Sequence, residues 1–164
     1  VGLGSNLDDR AANLSAAIDL LGEAADVTAV SSAYETEPVG FADQPWFLNA
    51  AAEVAWHETP ASLLTLLQAI ERRMGKATPF KDGPRAIDLD LLLYGDDVVD
   101  LPGLQVPHHR MHERRFVLAP LADIAPAAVH PERGRTIASL LAALPSGPAV
   151  RPWGLLVSST APSS

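Results

Sequence analysis

The chain has no cysteine, which removes disulfides and thiolate metal sites at once. It is also short of positive charge. Twelve Lys and Arg stand against 20 Asp and Glu, giving a formal net charge of −8 and an isoelectric point near 4.9. A general nucleic-acid or membrane-surface binder needs a basic face, so both classes are disfavoured, while a local basic pocket stays open. No apolar run is long enough to cross a bilayer and no signal peptide is recognisable, so the expectation is a cytoplasmic protein. Internal repeats are lacking as well. The chain opens on VGLGSN, strand-like and without a methionine, and the expectation is a first strand that has lost a few residues. What is present is 164 residues at 48% hydrophobic content, enough for one well-cored domain and short for two.

Strand and helix signals alternate irregularly along it. Val1 to Ser5 reads as a strand end. From Asp8 to Ala25 the apolar residues Leu14, Ala17, Ile18 and Leu21 recur at helical spacing, with Asp8 or Asp9 placed to cap. Val27 to Thr36, rich in Val, Ser, Thr and Tyr, predicts one strand, and Phe47 to Trp56 another, with the Pro- and Gly-dense EPVGFADQPW as the loop between. Thr59-Pro60 opens a helix carrying Leu63, Leu64, Leu67 and Ile70, with Gly75 at its end. After the irregular KATPFKD, the stretch GPRAIDLDLLLYG predicts a third strand, paired as a hairpin with Val98-Val99 across Gly95-Asp96-Asp97. Met111 to Ala125 predicts a helix broken or kinked at Pro120, and Thr136 to Leu144 a last short one. The sequence thus divides into a folded domain over 1–144 and a Pro/Ser/Gly-rich tail over 145–164, expected to be loosely ordered or a linker. Without regular βαβα alternation, the fold class is α+β: a ferredoxin-like core with a mainly antiparallel sheet and helices packed against it.

Two aspartates interrupt the otherwise apolar third strand. Strand alternation turns Asp88 and Asp90 to one face and Ile87, Leu89 and Leu91 to the other, with the aspartate α-carbons roughly 6.5–7 Å apart. Carboxylates so spaced can share a divalent ion, and Mg²⁺ suits them, because it completes its shell with water and phosphate oxygens. A solvent-facing edge strand would show the same alternation. Arg85 stands just before the strand, with Lys76 and Lys81 upstream, and acidic ligands beside basic side chains are what polyphosphate–metal chemistry requires. Arg85 neutralising Asp88 is the plainer alternative.

Other patterns carry less. GLGSN lacks the third glycine of a dinucleotide fingerprint, and Gly75-Lys76 lacks the rest of a P-loop. His108, His109 and His112 do not have zinc spacing, and His108 reads better as a hydrogen-bonding or phosphate-contacting residue. Gln68 and Glu71, three apart on a helix, read as polar neighbours opposite the leucine stripe. Phe47 and Asn49 share a strand face, and a ring beside an amide suits a flat heterocycle, although such pairs also occur as core.

Taken together, GLGSNL, SSAYETEPVG, DQPWFLNAA, GPRAIDLDLLLYG and VPHHRMHERRFVLAPLADIAP occur in the order of a known family, over about residues 1 to 130. The chain resembles the 6-hydroxymethyl-7,8-dihydropterin pyrophosphokinases of folate biosynthesis. The resemblance implies a three-layer αβα arrangement and transfer of diphosphate from ATP to the pterin, with AMP released. It implies that Asp88 and Asp90 hold two Mg²⁺ ions and that Arg85 joins them in catalysis. Thr36, Glu37, Val39, Phe47, Asn49 and Phe116 would hold the pterin. Gln68, Glu71, Lys76, Lys81, Arg85, Leu91, His108, His109 and Arg114 would line the ATP site. It also implies a protein fused to, or working beside, other folate-pathway enzymes. The family often has arginines where this chain has Lys76 and Thr78, an aromatic where it has Asp82, and tyrosines where it has Phe47 and His109. Stacking survives the change at Phe47, whereas a phenolic hydrogen bond does not. On the residues alone two other classes fit: a non-catalytic ferredoxin-like small-molecule-binding module, and another Mg²⁺-dependent phosphotransferase.

Overall fold

The structure, a computed structural model, describes residues 1–38, 43–75 and 86–156. Strand β1 (Gly2–Ser5) leads into helix α1 (Arg10–Ala24), whose first turn is capped by Asp9: Oδ1 accepts from the Ala12 N–H at 3.1 Å. Strands β2 (Asp26–Val30) and β3 (Ala33–Thr36) follow, then the long β4 (Phe47–Ala55). Helix α2 (Pro60–Arg73) opens on Thr59, whose hydroxyl accepts from the Ser62 N–H, with Pro60 in the first turn where no N–H is needed. Gly75, at φ 74°, takes the left-handed conformation just past the helix end. Then come β5 (Asp88–Asp90), β6 (Val99–Leu101), β7 (Leu104–Val106), a 3-10 turn (Met111–Glu113), α3 (Arg115–Ile124), α4 (Ile137–Ala143) capped by Thr136, and β8 (Val150–Gly154).

Six of these strands form one antiparallel sheet in the order β5-β1-β4-β3-β8, with β2 also on β4. Alternation along β4 sorts the two faces. Leu48, Ala50 and Ala52 join Leu3 and Leu89 against Leu14, Ala17 and Leu21 of α1 and Leu63, Leu67 and Ile70 of α2. Ala51 faces the other way, with Leu92, onto Leu118 and Leu121 of α3 and Ile137 and Leu140 of α4. The fold is α+β and three-layered, consistent with a ferredoxin-like core. Tyr34 ties α3 to β3 by donating its hydroxyl to Asp123 Oδ1 at 2.7 Å, and burial, reinforced by that carboxylate, pushes the phenol up to about 12. Among the described residues no helix is long and apolar enough to cross a membrane.

Four local expectations change. The single strand expected over Val27 to Thr36 is two strands. The chain steps aside at Ser31, whose hydroxyl accepts from the Ala51 N–H at 2.8 Å in place of a backbone carbonyl. The expected hairpin of the aspartate strand with Val98-Val99 does not form. Asp88–Asp90 pairs with β1, Leu91 and Leu92 then enter different cores, and Val99–Leu101 pairs instead with β7 across the tighter two-residue Pro102-Gly103 turn. The helix expected from Met111 runs through Pro120, and its break falls at Arg114, between the 3-10 turn and α3. The tail, expected to be loose, supplies β8. An edge position tolerates Pro152, since its missing N–H need not join a ladder.

His130 closes the turn that leads to α4. It is buried, and its Nδ1 accepts the N–H groups of Glu132 and Arg133 at 3.2 and 3.1 Å. Burial, with His112 and Arg133 nearby, holds its pKa below the ordinary 6.5, and His108 is lowered likewise by burial. Each imidazole therefore binds fewer protons folded than unfolded. Stability from this source is full above the unfolded pKa and is lost as pH falls through it toward the folded value. Thermal unfolding should show the melting temperature falling between pH 7.5 and 5.5. His130→Asn, which keeps an acceptor but does not titrate, should show a shallower fall.

Candidate active site

Among the described residues, α3 and α4 cover one end of the sheet face that carries Ala51. At the other end lies a cavity of about 460 Å³. Strand β5 delivers Asp88 and Asp90 to it while Leu89 between them is buried in the opposite core. Directly across the ladder from Asp88 is Gly4, and across from Asp90 is Gly2. Neither glycine places a side chain beside the carboxylates. At Gly4 none would fit: a Cβ would stand 2.7 Å from Asn49 Oδ1. Asn49 is buried and its amide is fixed by donation from Nδ2 to Thr36 Oγ1 at 2.7 Å. Phe47, Thr36 and Glu37 complete that side, and Phe116 and Val117 form the facing wall.

Arg110 and Arg114 bring guanidinium groups to the cavity beside His109, with the Arg114 guanidinium 5.6 Å from the Phe116 ring centroid. A second cavity of about 320 Å³ adjoins the first through Asp90 and His109, which line both, and adds Leu64, Leu91, Gln105 and His108. His108 stacks on His109 at 5.2 Å between centroids, and its Nδ1 is buried with no partner among the described residues. Burial, then Arg114 and His109, holds His108 below its ordinary value against the opposing pull of Asp88, so it is neutral near pH 7.

Most of the residues singled out in the sequence thus meet. Asp88, Asp90, Thr36, Glu37, Phe47, Asn49, Phe116, His109 and Arg114 share the first cavity, and Leu91 and His108 the second. Gln68 is exposed on α2 and is in neither lining. Glu71 sits on the leucine stripe of α2 rather than opposite it. It is buried, and its Oε2 accepts the Leu89 N–H at 3.0 Å, closing the outer edge of β5 between the two aspartates. Val39, Lys76, Lys81 and Arg85 lie outside the described residues. Sequence reasoning missed Arg110. The signal lay in its spacing: the 3-10 turn separates Arg110 from Arg114 by one short turn, which sets both on the cavity wall.

The donors fit a hard divalent ion. Two carboxylates face one cavity beside side-chain-free glycines, and among the described residues no group of three or more His, Cys, Asp or Glu gathers as a metal cage. A cation held by two carboxylates, its shell completed by water and substrate oxygens, is the Mg²⁺ pattern.

Comparison with known proteins points to one family. A family model described as 7,8-dihydro-6-hydroxymethylpterin-pyrophosphokinase matches residues 1–126. The 2-amino-4-hydroxy-6-hydroxymethyldihydropteridine pyrophosphokinase of Pseudomonas aeruginosa is 45% identical over 147 residues, covering 88% of this chain and 90% of that one. The enzyme of the same name from Bacillus subtilis is 48% identical over 126 residues, 76% of this chain and 75% of its own. The folic acid synthesis protein fol1 of Schizosaccharomyces pombe is 40% identical over 145 residues, 87% of this chain but only 20% of that longer protein.

Removing the Glu71 carboxylate should weaken the whole edge that carries the aspartates. Glu71→Ala leaves a buried Leu89 N–H without this acceptor and should cost about 1–3 kcal/mol in urea unfolding. Glu71→Gln, which keeps an acceptor oxygen, should recover part of that loss.

Proposed function

The chain belongs to the 7,8-dihydro-6-hydroxymethylpterin-pyrophosphokinase family, and we propose that its two adjoining cavities are the pterin and ATP sites of a diphosphate transfer. The products are AMP and the pterin diphosphate of folate biosynthesis. The observation that carries this reading is the convergence of Asp88 and Asp90 with Asn49, Phe47 and Phe116 in one cavity. A flat, hydrogen-bonding heterocycle fits between the two phenyl rings, with Asn49, Thr36 and Glu37 at its polar edge. Its hydroxymethyl group then points toward the aspartates. ATP extends from them into the second cavity, past His108 and Leu91.

The residues divide the work by charge. Asp88 and Asp90 would hold two Mg²⁺ ions, which when bound would supply Lewis-acid neutralisation of the triphosphate and favour loss of the hydroxyl proton. Arg110 and Arg114 meet phosphate oxygens from the opposite wall, as guanidinium forks suited to that task. Arg85, Lys76 and Lys81, which lie outside the described residues, are the further ATP-binding cations that the family resemblance implies. Neutral His108 offers a hydrogen bond without adding charge. Held in line, the hydroxymethyl oxygen loses its proton to solvent water and forms a bond to the β-phosphorus. The bond from that phosphorus to the α–β bridging oxygen breaks, and AMP leaves with the oxygen. Phe47 and Phe116 fix the ring so that the small hydroxyl group arrives at one distance and angle. The match spans only a fifth of fol1, which supports a partner role beside other folate-pathway activities, in a fused or separate chain.

AMP formation from ATP should require both the reduced pterin and Mg²⁺, cease with EDTA, and return with added Mg²⁺. Asp88→Ala or Asp90→Ala should lower kcat by more than about 100-fold while the circular dichroism of the fold persists. Near-normal turnover in both variants would overturn the metal assignment. Absence of pterin binding in calorimetry, even beside an ATP analogue, would favour a non-catalytic binding module.

A further inference from the structure

The tail strand holds residues of the pterin wall from behind. Strand β8 sets Val150 opposite Thr36 and Arg151 opposite Glu35. One residue further, Glu37 donates its N–H to the Ala149 carbonyl at 3.0 Å, and Ala149 donates its own to Glu37 Oε1 at 2.7 Å. Thr36 and Glu37 both line the cavity.

On the reverse face of β3, the Glu35 carboxylate is gripped from two sides. Arg151 Nε donates to Oε1 at 2.9 Å, and Arg10, from the start of α1, reaches Oε2 at 2.9 Å. Arg10 also donates to the Trp46 carbonyl at 2.9 Å, and the Arg151 guanidinium stands 4.7 Å from the centroid of the Trp46 ring. Trp46 directly precedes Phe47, and Asn6 fastens the same segment through Gln44 and the Pro45 carbonyl. Among the described residues the β3–β4 ladder ends at the pair Thr36–Phe47. The contacts of Arg151, Arg10 and Ala149 fall there, at the open end of the ladder.

We propose that Arg151 is a positioning residue for the pterin: by joining Glu35 to Trp46 it fixes the spacing between the Thr36–Glu37 edge and the Phe47–Asn49 wall. The proposal rests on the functional reading above. It assigns a role to residues 10, 35, 46 and 151, none of which lines the cavity. A clamp that acts through the wall changes how well the heterocycle is held and leaves the phosphate chemistry alone. Its signature is therefore a split between substrates.

The test pairs steady-state kinetics with direct binding of 6-hydroxymethylpterin, measured by calorimetry beside a non-hydrolysable ATP analogue. Arg151→Ala should raise KM for the dihydropterin and Kd for the pterin by about tenfold, with KM for ATP and kcat within about twofold. Arg151→Lys keeps the charge but loses the fork and the flat stack, and should fall between. If Arg151→Ala does not fold, Glu35→Gln, close in volume, should show the same split. Unchanged pterin affinity in folded variants would overturn the proposal, as would pterin and ATP constants rising together. Failure of the wild-type protein to form AMP would instead refute the functional reading, and the binding arm would still decide the role of Arg151.

Discussion

The pairing of β1 with β5 is the constraint on which the rest of the site depends. Because strand side chains alternate, a Gly-Leu-Gly segment set against Asp-Leu-Asp does two things in one register. It stacks Leu3 and Leu89 into the core beneath α1 and α2, and it leaves both carboxylates on the other face with only glycine across from them. A slip of one residue would bury two charges and expose two leucines, a change costing several kcal/mol. The geometry of the proposed metal site and the core packing are thus enforced by the same register, and Glu71 secures it from the outer edge by taking the Leu89 N–H.

The same distinction between local and distant partners decides what is legible in the sequence. The direction of Asp88 and Asp90 follows from a period of two, and the caps at Asp9, Thr59 and Thr136 follow from local chemistry, so the residues themselves announce both. Glu71 does not announce itself in that way. Its place four residues after Leu67 puts it on the apolar stripe, but nothing local says that a sheet edge waits there with a spare donor. The split at Ser31 is hidden for a similar reason, since β-branched and hydroxyl residues score alike in a continuous strand and in one stepped by a side-chain hydrogen bond. Strand β8 is masked by composition. A Pro-, Ser- and Gly-rich stretch reads as loop, and only a vacant edge on β3 makes VRPWG extend. In each case the missing information is a partner far away in sequence.

Charge poses a separate problem, for a chain of net −8 that takes a polyanion. At physiological salt the Debye length is about 8 Å, so most of the surface carboxylates are screened from the cleft and the near groups decide. Those include Arg110, Arg114 and His109 on one wall and the two aspartates on the other. The aspartates alone would repel phosphate. Under the proposed metal binding they become the means of attracting it, since each ion brings more positive charge than one carboxylate cancels. An acidic protein can therefore bind a triphosphate without a basic surface, provided that the cation arrives with the substrate.

The location of the cavity follows from the same chemistry that fills it. Helices α3 and α4 are short and cover the end of the sheet where Ala51 and Leu92 offer an apolar surface. They could extend no further without setting leucines over Asp88, Asp90, Asn49 and Thr36, whose polar groups would lose water to an apolar cover. Thr36 and Asn49 satisfy each other in part, while carboxylates set beneath leucines would have to give up water. So the residues proposed to recognise substrate are also those that stop the core from closing over them. That end of the sheet is tied instead by the tail strand along its edge and by the Arg10–Glu35–Arg151 cluster on the reverse face.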